Sequence, residues 1–130
     1  MSFDKDKTDI LTIGTLPASS TLPATPGTWC EDIDMTVSSS LAITMEGTFS
    51  TGGTLTAHIR TSPTGGTVES VWDTQDYASF DLVASAGSRE QITKGVWCDP
   101  LYACVMVVND GTEPVYNVVV TSTVQDMEAV

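Results

Sequence analysis

The sequence predicts an all-β fold, a single β-sandwich or jelly-roll-like domain of seven or eight strands with an extended N-terminal arm. Apolar and polar residues alternate with a period of two over residues 41–49 and again over 54–61, as in strands with one buried face. Clusters of Gly, Ser, Thr and Pro separate the strand-like segments. No segment combines helix caps with a 3.6-residue apolar period. Such a pattern is typical of two-layer β architectures.

The two alternating segments predict a hairpin over residues 41–61, because the run 50–53, STGG, lies between them as a turn. A second turn cluster occupies residues 62–66. Two shorter strands are expected after it, at 68–72 and 77–83. This part of the chain therefore predicts a hairpin followed by two shorter strands.

Residues 101–108, LYACVMVV, are apolar on both alternating faces. This pattern is typical of a central strand that is covered twice, by a second sheet or by another subunit. The run from Asn109 to Pro114 predicts a hairpin turn. The segment 115–124 is rich in β-branched residues and predicts the last strand.

Composition divides the chain into three parts. Residues 1–27 predict an extended proline-rich N-terminal arm, residues 28–125 the β-sandwich domain, and residues 126–130 a polar C-terminal tail. Prolines at positions 17, 23 and 26 oppose both helix and regular sheet in the arm.

The arm carries the candidate interaction residues. From Ile10 to Gly27 it contains no charged residue, although the whole chain has a net charge of −12. A free linker is usually charged or strongly polar, so we expect the arm to dock through apolar anchors. These anchors are Ile10, Leu11, Ile13, Leu16 and Leu22. They either dock on a neighbouring subunit, where residues 10–13 add a strand to a sheet edge, or pack on their own domain.

The strong acidity of the chain disfavours partners that are recognised through phosphate groups. With 17 acidic and 5 basic residues, the chain cannot build a basic groove, which disfavours nucleic-acid binding. No apolar run approaches the ~20 residues of a membrane helix, and the polar N-terminus lacks the apolar region of a secretory signal. We expect no nucleic acid and no membrane as partners, and folding in the compartment of synthesis.

Two similar stretches, GTWCED at 27–32 and GVWCDP at 95–100, contain two of the three cysteines. A zinc site would need Cys30, Cys98, Cys104 and His58, but no CxxC-like pair is present. A disulfide between Cys30 and Cys98 remains open. The preferred interpretation is two independent strand entries with reduced thiols, each with a tryptophan that covers an end of the sandwich.

No catalytic constellation is expected, and neither is a cofactor or a metal. His58, the one histidine, lies on the polar face of a predicted strand, and no GxSxG motif accompanies it. Asp73 and Asp76 flank a loop after Trp72 without a specific catalytic spacing. We therefore expect a protein that is not an enzyme.

Two stretches carry a resemblance to a known family. LTAHIRTSPTGGTVESVWD, at 55–73, has a strand that ends in an SPxGG turn, and an aromatic residue begins the next strand. DPLYACVMVVNDGTEPVYNVVVTSTV, at 99–124, has a proline-led central strand and a valine-rich final one. Both resemble small β-sandwich virion proteins of tailed bacteriophages, of the head decoration or minor capsid type.

The resemblance implies a structural role in the virion, with no catalytic residues. The partners would be the major capsid protein or other virion subunits, and further copies of the chain, with a trimer favoured. The chain would fold in the host cytoplasm before assembly into the virion. The alternative is a carbohydrate-binding or adhesin-type module, including a tail-associated one. That alternative needs exposed aromatic side chains, for which the candidates are Trp72, Tyr77, Tyr102 and Tyr116.

Overall fold

Two antiparallel β-sheets pack face to face, which confirms the predicted all-β sandwich. The computed structural model describes residues 2–18, 21–22, 32–36, 38–66, 68–96 and 102–128. Seven strands in these ranges have seven residues or more, and two have two residues each. The strands are β1 (Ser2–Leu16), β2 (Thr21–Leu22), β3 (Ile33–Asp34), β4 (Ser38–Phe49), β5 (Gly53–Ser62), β6 (Ala78–Ala84), β7 (Ser88–Val96), β8 (Tyr102–Asn109) and β9 (Val115–Glu128).

The first sheet has the strand order β1-β9-β4-β7, and the second has the order β2-β8-β5-β6. β3 also pairs with β8. Because β5 occupies one edge of β8 along its whole length, β2 and β3 pair with opposite ends of the other edge. β1 and β7 are therefore the edge strands of the first sheet, and β6 is an edge strand of the second.

The two predicted hairpins are wrong, because each turn joins strands of different sheets. β4 lies in the first sheet and β5 in the second, although residues 41–61 contain both strands and the expected turn. β8 and β9, on either side of the turn 110–114, are separated in the same way. Strand alternation and turn residues specify where the chain reverses. They do not specify whether the second strand pairs beside the first or faces it across the core.

The core lies between the sheets and follows the predicted alternation. In β4, Leu41, Ile43 and Met45 are buried, whereas the intervening Ala42 and Thr44 are partly exposed. Full burial of such a side chain stabilises the fold by about 1.5–3 kcal/mol. The largest fully buried apolar side chains are Leu16, Ile43, Met45, Leu55, Ile59, Val105, Val107, Val115, Val118 and Val120.

The N-terminal segment differs from the predicted arm. Residues 2–16 form β1, which pairs with β9 from Ser2–Glu128 to Leu16–Val115. Ile10 and Leu16 are buried in the core of the same chain. The first proline is at position 17, so nothing in the first 16 residues opposes a strand. The structure thus shows the second of the two alternatives for residues 10–16, packing on their own domain.

Three further differences concern segment ends. β9 extends to Glu128, so the described part of the predicted tail 126–130 belongs to a strand. The predicted strand 68–72 is replaced by a 3₁₀ turn at Glu69–Val71, followed by buried Trp72. The cysteines and tryptophans of the two WC pairs, at positions 29–30 and 97–98, lie outside the described residues. The expectations about a Cys30–Cys98 pair therefore concern a part of the chain that the structure does not describe.

The predicted central strand 101–108 corresponds to β8, which lies inside the second sheet. Its inward side chains, Ala103, Val105 and Val107, are covered by the first sheet. On the outward side Cys104 is also buried, while Met106 is half-buried. The outward face of this strand is therefore only partly exposed to solvent.

The connections between the sheets define two ends of the sandwich. The backbone N–H of Asp110 donates to the carbonyl of Thr54 at 3.0 Å, which brings the turns after β4 and β8 together. A Cβ atom on Gly87 would lie 2.5 Å from the carbonyl oxygen of Ser50, so the turn after β6 packs tightly on the same turn. We call this the closed end. The loop 63–77 leaves β5 at the opposite end, which we call the open end.

The loop 63–77 is held in place at the open end by its glycines. Gly65 has φ +69°, and a Cβ atom there would lie 2.9 Å from the Tyr102 ring. Only glycine fits this conformation and this close approach without strain. The indole N–H of Trp72 donates to the carbonyl of Gly66 at 2.9 Å. These contacts fix the segment that follows, residues 73–77.

Candidate functional site

A polar network covers the outward face of β5 near the open end. Thr56, His58 and Arg60 alternate with buried residues along this strand and point away from the core. Asp76 accepts a hydrogen bond from Arg60 Nε at 2.6 Å and lies 2.7 Å from His58 Nδ1. An ionised carboxylate can only accept, so His58 Nδ1 carries the proton in this pair. The network joins β5 to a loop that is 16–18 residues away in sequence.

A second set of contacts fixes Asp73. The hydroxyl of buried Thr61 donates to Asp73 Oδ2 at 3.0 Å, and the Asp73 backbone N–H donates to the Thr61 carbonyl at 3.0 Å. The Tyr77 backbone N–H donates to the carbonyl of Ile59 at 2.7 Å. Both ends of the segment 73–77 are therefore bound to the last residues of β5.

Between these two attachments the chain forms a cleft of about 400 Å³. We call it the open-end cleft; it is lined by Thr61, Asp73, Thr74, Gln75, Asp76 and Tyr77. It holds two carboxylates whose positions are set by neighbouring side chains, an amide, two threonine hydroxyls and the phenol of one tyrosine. This combination offers hydrogen-bond acceptors, donors and an apolar surface in one place.

The electrostatics of the cleft centre on Asp76. Partial burial raises the pKa of its carboxyl. Hydrogen bonds from His58 and Arg60, together with the attraction of these basic side chains, lower this pKa by more than burial raises it. The net result is a pKa below the ordinary value of 3.8. Asp76 is therefore ionised at neutral pH.

We expect Asp76→Asn to lower the free energy of unfolding at pH 7 by about 1 kcal/mol at low salt, because it removes one partially exposed ion pair and its hydrogen bonds. A carboxyl with a depressed pKa contributes stability above its unfolded pKa of about 3.9 and loses it as the pH falls through the folded value. The difference between variant and wild type should therefore shrink below pH ~4.

Urea unfolding between pH 7 and pH 3 measures this effect. Glu113→Gln is the matched control, because Glu113 is exposed in the turn at the closed end. A constant difference over the whole pH range would show that Asp76 stabilises the fold by packing and not by its charge.

The predicted interaction residues do not form a surface patch. Ile10 and Leu16 are buried, and Leu11 and Ile13 are partly buried against the same core. Leu22 belongs to β2 and is in register with Val107, while its side chain lies outside the description. The described anchor residues therefore pack in or against the core of their own domain.

The four candidate aromatic residues divide into two groups. Trp72 is buried and Tyr102 packs over Gly65, so both have structural roles. Tyr77 and Tyr116 are 41% and 40% exposed. Tyr116 lies in β9 of the first sheet, whereas Tyr77 precedes β6 of the second and borders the open-end cleft. The two exposed tyrosines therefore belong to different sheets.

Elsewhere the described residues form no metal site and line a smaller crevice. Among the described residues, no group of three or more His, Cys, Asp or Glu side chains is placed to hold a metal ion. A smaller crevice of about 240 Å³ lies where β3 approaches β1 and β9; it is lined by Thr8, Ile10, Asp32, Ile33, Asp34, Ser122 and Val124. In the described ranges the one helical element is the 3₁₀ turn, and no helix is long and apolar enough to cross a membrane.

Comparison with known proteins shows the fold and leaves the family open. No family model matches the chain, and no curated protein matches it in sequence. Among solved structures, the PBSX exported protein XepA aligns over 96% of this chain with 16% identity and a TM-score of 0.57. The infectious bursal disease virus Gx strain aligns over 100% of this chain with 12% identity and a TM-score of 0.53.

A carbohydrate-binding module of Cellvibrio mixtus lichenase 5A, solved with cellotriose, aligns over 95% of this chain and 91% of its own, with 10% identity and a TM-score of 0.51. In contrast, this chain spans 38% of the XepA chain and 39% of the viral chain. At these identities the likeness shows a shared β-sandwich fold.

Proposed function

We propose that this chain is a non-enzymatic structural protein of a tailed phage particle, a head-associated or decoration protein that binds the capsid and further copies of itself. The motifs at 55–73 and 99–124 support this role through their resemblance to phage virion proteins. The likeness in fold to a phage protein and to a virus particle is consistent with it. A trimer is the favoured assembly.

The observation that carries the proposal is the unequal protection of the sheet edges. Natural proteins place charged residues on free edge strands to prevent pairing with other chains. β1 contains five charged residues, and β7 contains Arg89, Glu90 and Lys94. β6 contains only Asp81, which accepts a hydrogen bond from Thr56 of the neighbouring strand at 2.9 Å. The edge of β6 is thus the least protected of the three.

β6 also carries an exposed apolar side chain. Four large apolar side chains are exposed in the described part of the chain, and one of them, Val83, lies on β6. Val83 is 65% exposed and projects outward from this strand. Exposed apolar groups beside an unprotected edge are typical of protein contact surfaces. We propose that β6, around Val83, contacts the neighbouring subunit in the particle.

Co-sedimentation tests this proposal. Purified protein is mixed with particles of the phage that encodes the chain, prepared from a mutant that lacks it. We expect saturable binding of many copies per particle. Val83→Glu should weaken binding by at least about tenfold, since it places a charge on the contact edge.

Thr93→Glu is the matched control, because it adds the same charge to an exposed position of the other sheet, on β7. It should bind like the wild type. If the wild-type protein does not sediment with particles, or if both variants bind equally well, the proposed contact is wrong.

A further inference from the structure

We propose that the open-end cleft is a binding site for a neutral oligosaccharide. This site is separate from the contact edge proposed for assembly. The cleft lies at the beginning of β6, and Val83 lies near the end of that strand. At about 3.3 Å per residue, six residues separate Tyr77 from Val83 by roughly 20 Å. One chain can therefore use both surfaces.

The size and shape of the cleft suit a small ligand. Its volume of about 400 Å³ lies within the range of roughly 300–1,000 Å³ that is usual for small-molecule sites. It is bordered by a segment that is attached to β5 at both ends, through Asp73 and Tyr77. A ligand would thus meet groups that are already in position, which reduces the entropy lost on binding.

Tyr77 provides the apolar surface that a sugar ring requires. One face of a hexose presents C–H groups, which are apolar and slightly positive, and the face of an aromatic ring is negative. Tyr77 is 41% exposed at the border of the cleft, and its backbone is held by the hydrogen bond to Ile59. An exposed aromatic residue beside polar groups is therefore placed for stacking on a sugar.

The polar lining provides acceptors for sugar hydroxyl groups. A carboxylate has about four acceptor positions. Asp76 uses one position on each oxygen, for Arg60 and His58, and Asp73 accepts from Thr61 through Oδ2. Acceptor positions remain on both residues. Gln75 and Thr74, which are exposed, add an amide and a hydroxyl that can donate as well as accept.

The charges select against an anionic ligand. The cleft is lined by two carboxylates and by no basic side chain, and the two basic side chains that contact Asp76 are both engaged by it. The whole chain carries a net charge of −12, which repels phosphate, sulfate and uronate groups. A neutral ligand with many hydroxyl donors fits this environment better than a charged one.

The test is an NMR titration of backbone amides in the ¹⁵N-labelled full chain. The probes are cellotriose, maltotriose, mannotriose and N-acetylchitotriose, with trigalacturonate as the anionic counterpart. We expect at least one neutral probe to shift the amides of residues 73–77 saturably, with a dissociation constant at or below about 1 mM. Trigalacturonate should produce no saturable shift.

Two variants decide whether the cleft is the site. Tyr77→Ala should raise the dissociation constant by at least about tenfold, while Tyr77→Phe, which keeps the ring, should retain most of the binding. Tyr116→Ala is the matched control, because Tyr116 is 40% exposed on the other sheet. Its binding should equal that of the wild type.

The proposal is overturned if none of the four neutral probes shifts residues 73–77 at millimolar concentration. It is also overturned if trigalacturonate binds more tightly than the neutral probes, or if Tyr116→Ala weakens binding as much as Tyr77→Ala. Val83→Glu should leave the titration unchanged, so failure of the assembly proposal and failure of the sugar site are distinguishable.

Discussion

Deletion of residues 1–16 is expected to abolish cooperative folding. The deletion removes β1, which buries Ile10 and Leu16 and partly buries Leu11 and Ile13. The two buried side chains alone contribute about 3–6 kcal/mol by area. This is comparable to the total stability of a small domain, about 5–15 kcal/mol. The deletion also exposes the edge of β9, so the truncated protein should aggregate.

Circular dichroism and thermal unfolding measure this outcome. Leu16→Ala should lower the free energy of unfolding by about 2–5 kcal/mol, because Leu16 is fully buried. Thr12→Ala is the control in the same strand; Thr12 is exposed, so the change should stay within about 0.5 kcal/mol. If the truncated protein melts like the wild type and loses only assembly, the segment contacts a neighbouring subunit instead.

Replacement of Asn109 by alanine is expected to have the second-largest effect. Asn109 is completely buried at the end of β8. Its amide nitrogen donates to the carbonyls of Leu16 at 3.1 Å and Glu113 at 2.9 Å, and its Oδ1 accepts from the Gly111 N–H at 2.9 Å. Each buried group left without a partner costs about 1–3 kcal/mol. We expect Asn109→Ala to lower the free energy of unfolding by about 2–4 kcal/mol.

Chemical denaturation of two further variants separates hydrogen bonding from loss of volume. Asn109→Asp keeps the shape but turns an acceptor toward two carbonyls, so it should destabilise at least as much as alanine at neutral pH. Thr112→Ala, at an exposed position of the same turn, should change stability by less than about 0.5 kcal/mol. If Asn109→Asp unfolds like the wild type, the three hydrogen bonds do not hold the closed end together.

Most of the long strands were predictable from the sequence, but β1 was not, and the sheet partners were not either. The alternation over residues 41–49 and 54–61 follows the observed burial of β4 and β5 residue by residue. Their assignment to a hairpin was wrong, since the same pattern results when two strands face each other across the core. Burial of one face is common to both arrangements. Only long-range contacts, such as β4 with β9 and β5 with β8, distinguish them.

The N-terminal boundary shows how a strong local signal can mislead. Three prolines at 17, 23 and 26 indicate an extended arm. Because residues 10–27 also contain no charge, the uncharged residues 10–16 are assigned to the same arm. The uncharged residues 10–16 instead supply the inner face of an edge strand. The charged residues before them, at positions 4–9, belong to the same strand.

The open-end cleft was only partly visible in the sequence. The alternation placed His58 on the polar face of its strand, and Asp73 and Asp76 were recognisable as a pair after Trp72. Their meeting depends on the loop 63–77, which turns back along β5 through Gly65 and the hydrogen bonds at Thr61 and Ile59. No periodic pattern encodes such a return, because it depends on individual contacts across 12–18 residues.

The most direct test of the proposed role is a cryo-EM map of gradient-purified particles from the phage that encodes this chain, with mass spectrometry of the same sample. We expect peptides of the chain in many copies per particle. We also expect repeated β-sandwich density on the head, with β6 at the contact with the neighbouring subunit. Particles of full infectivity that contain neither the peptides nor this density would contradict the proposed structural role.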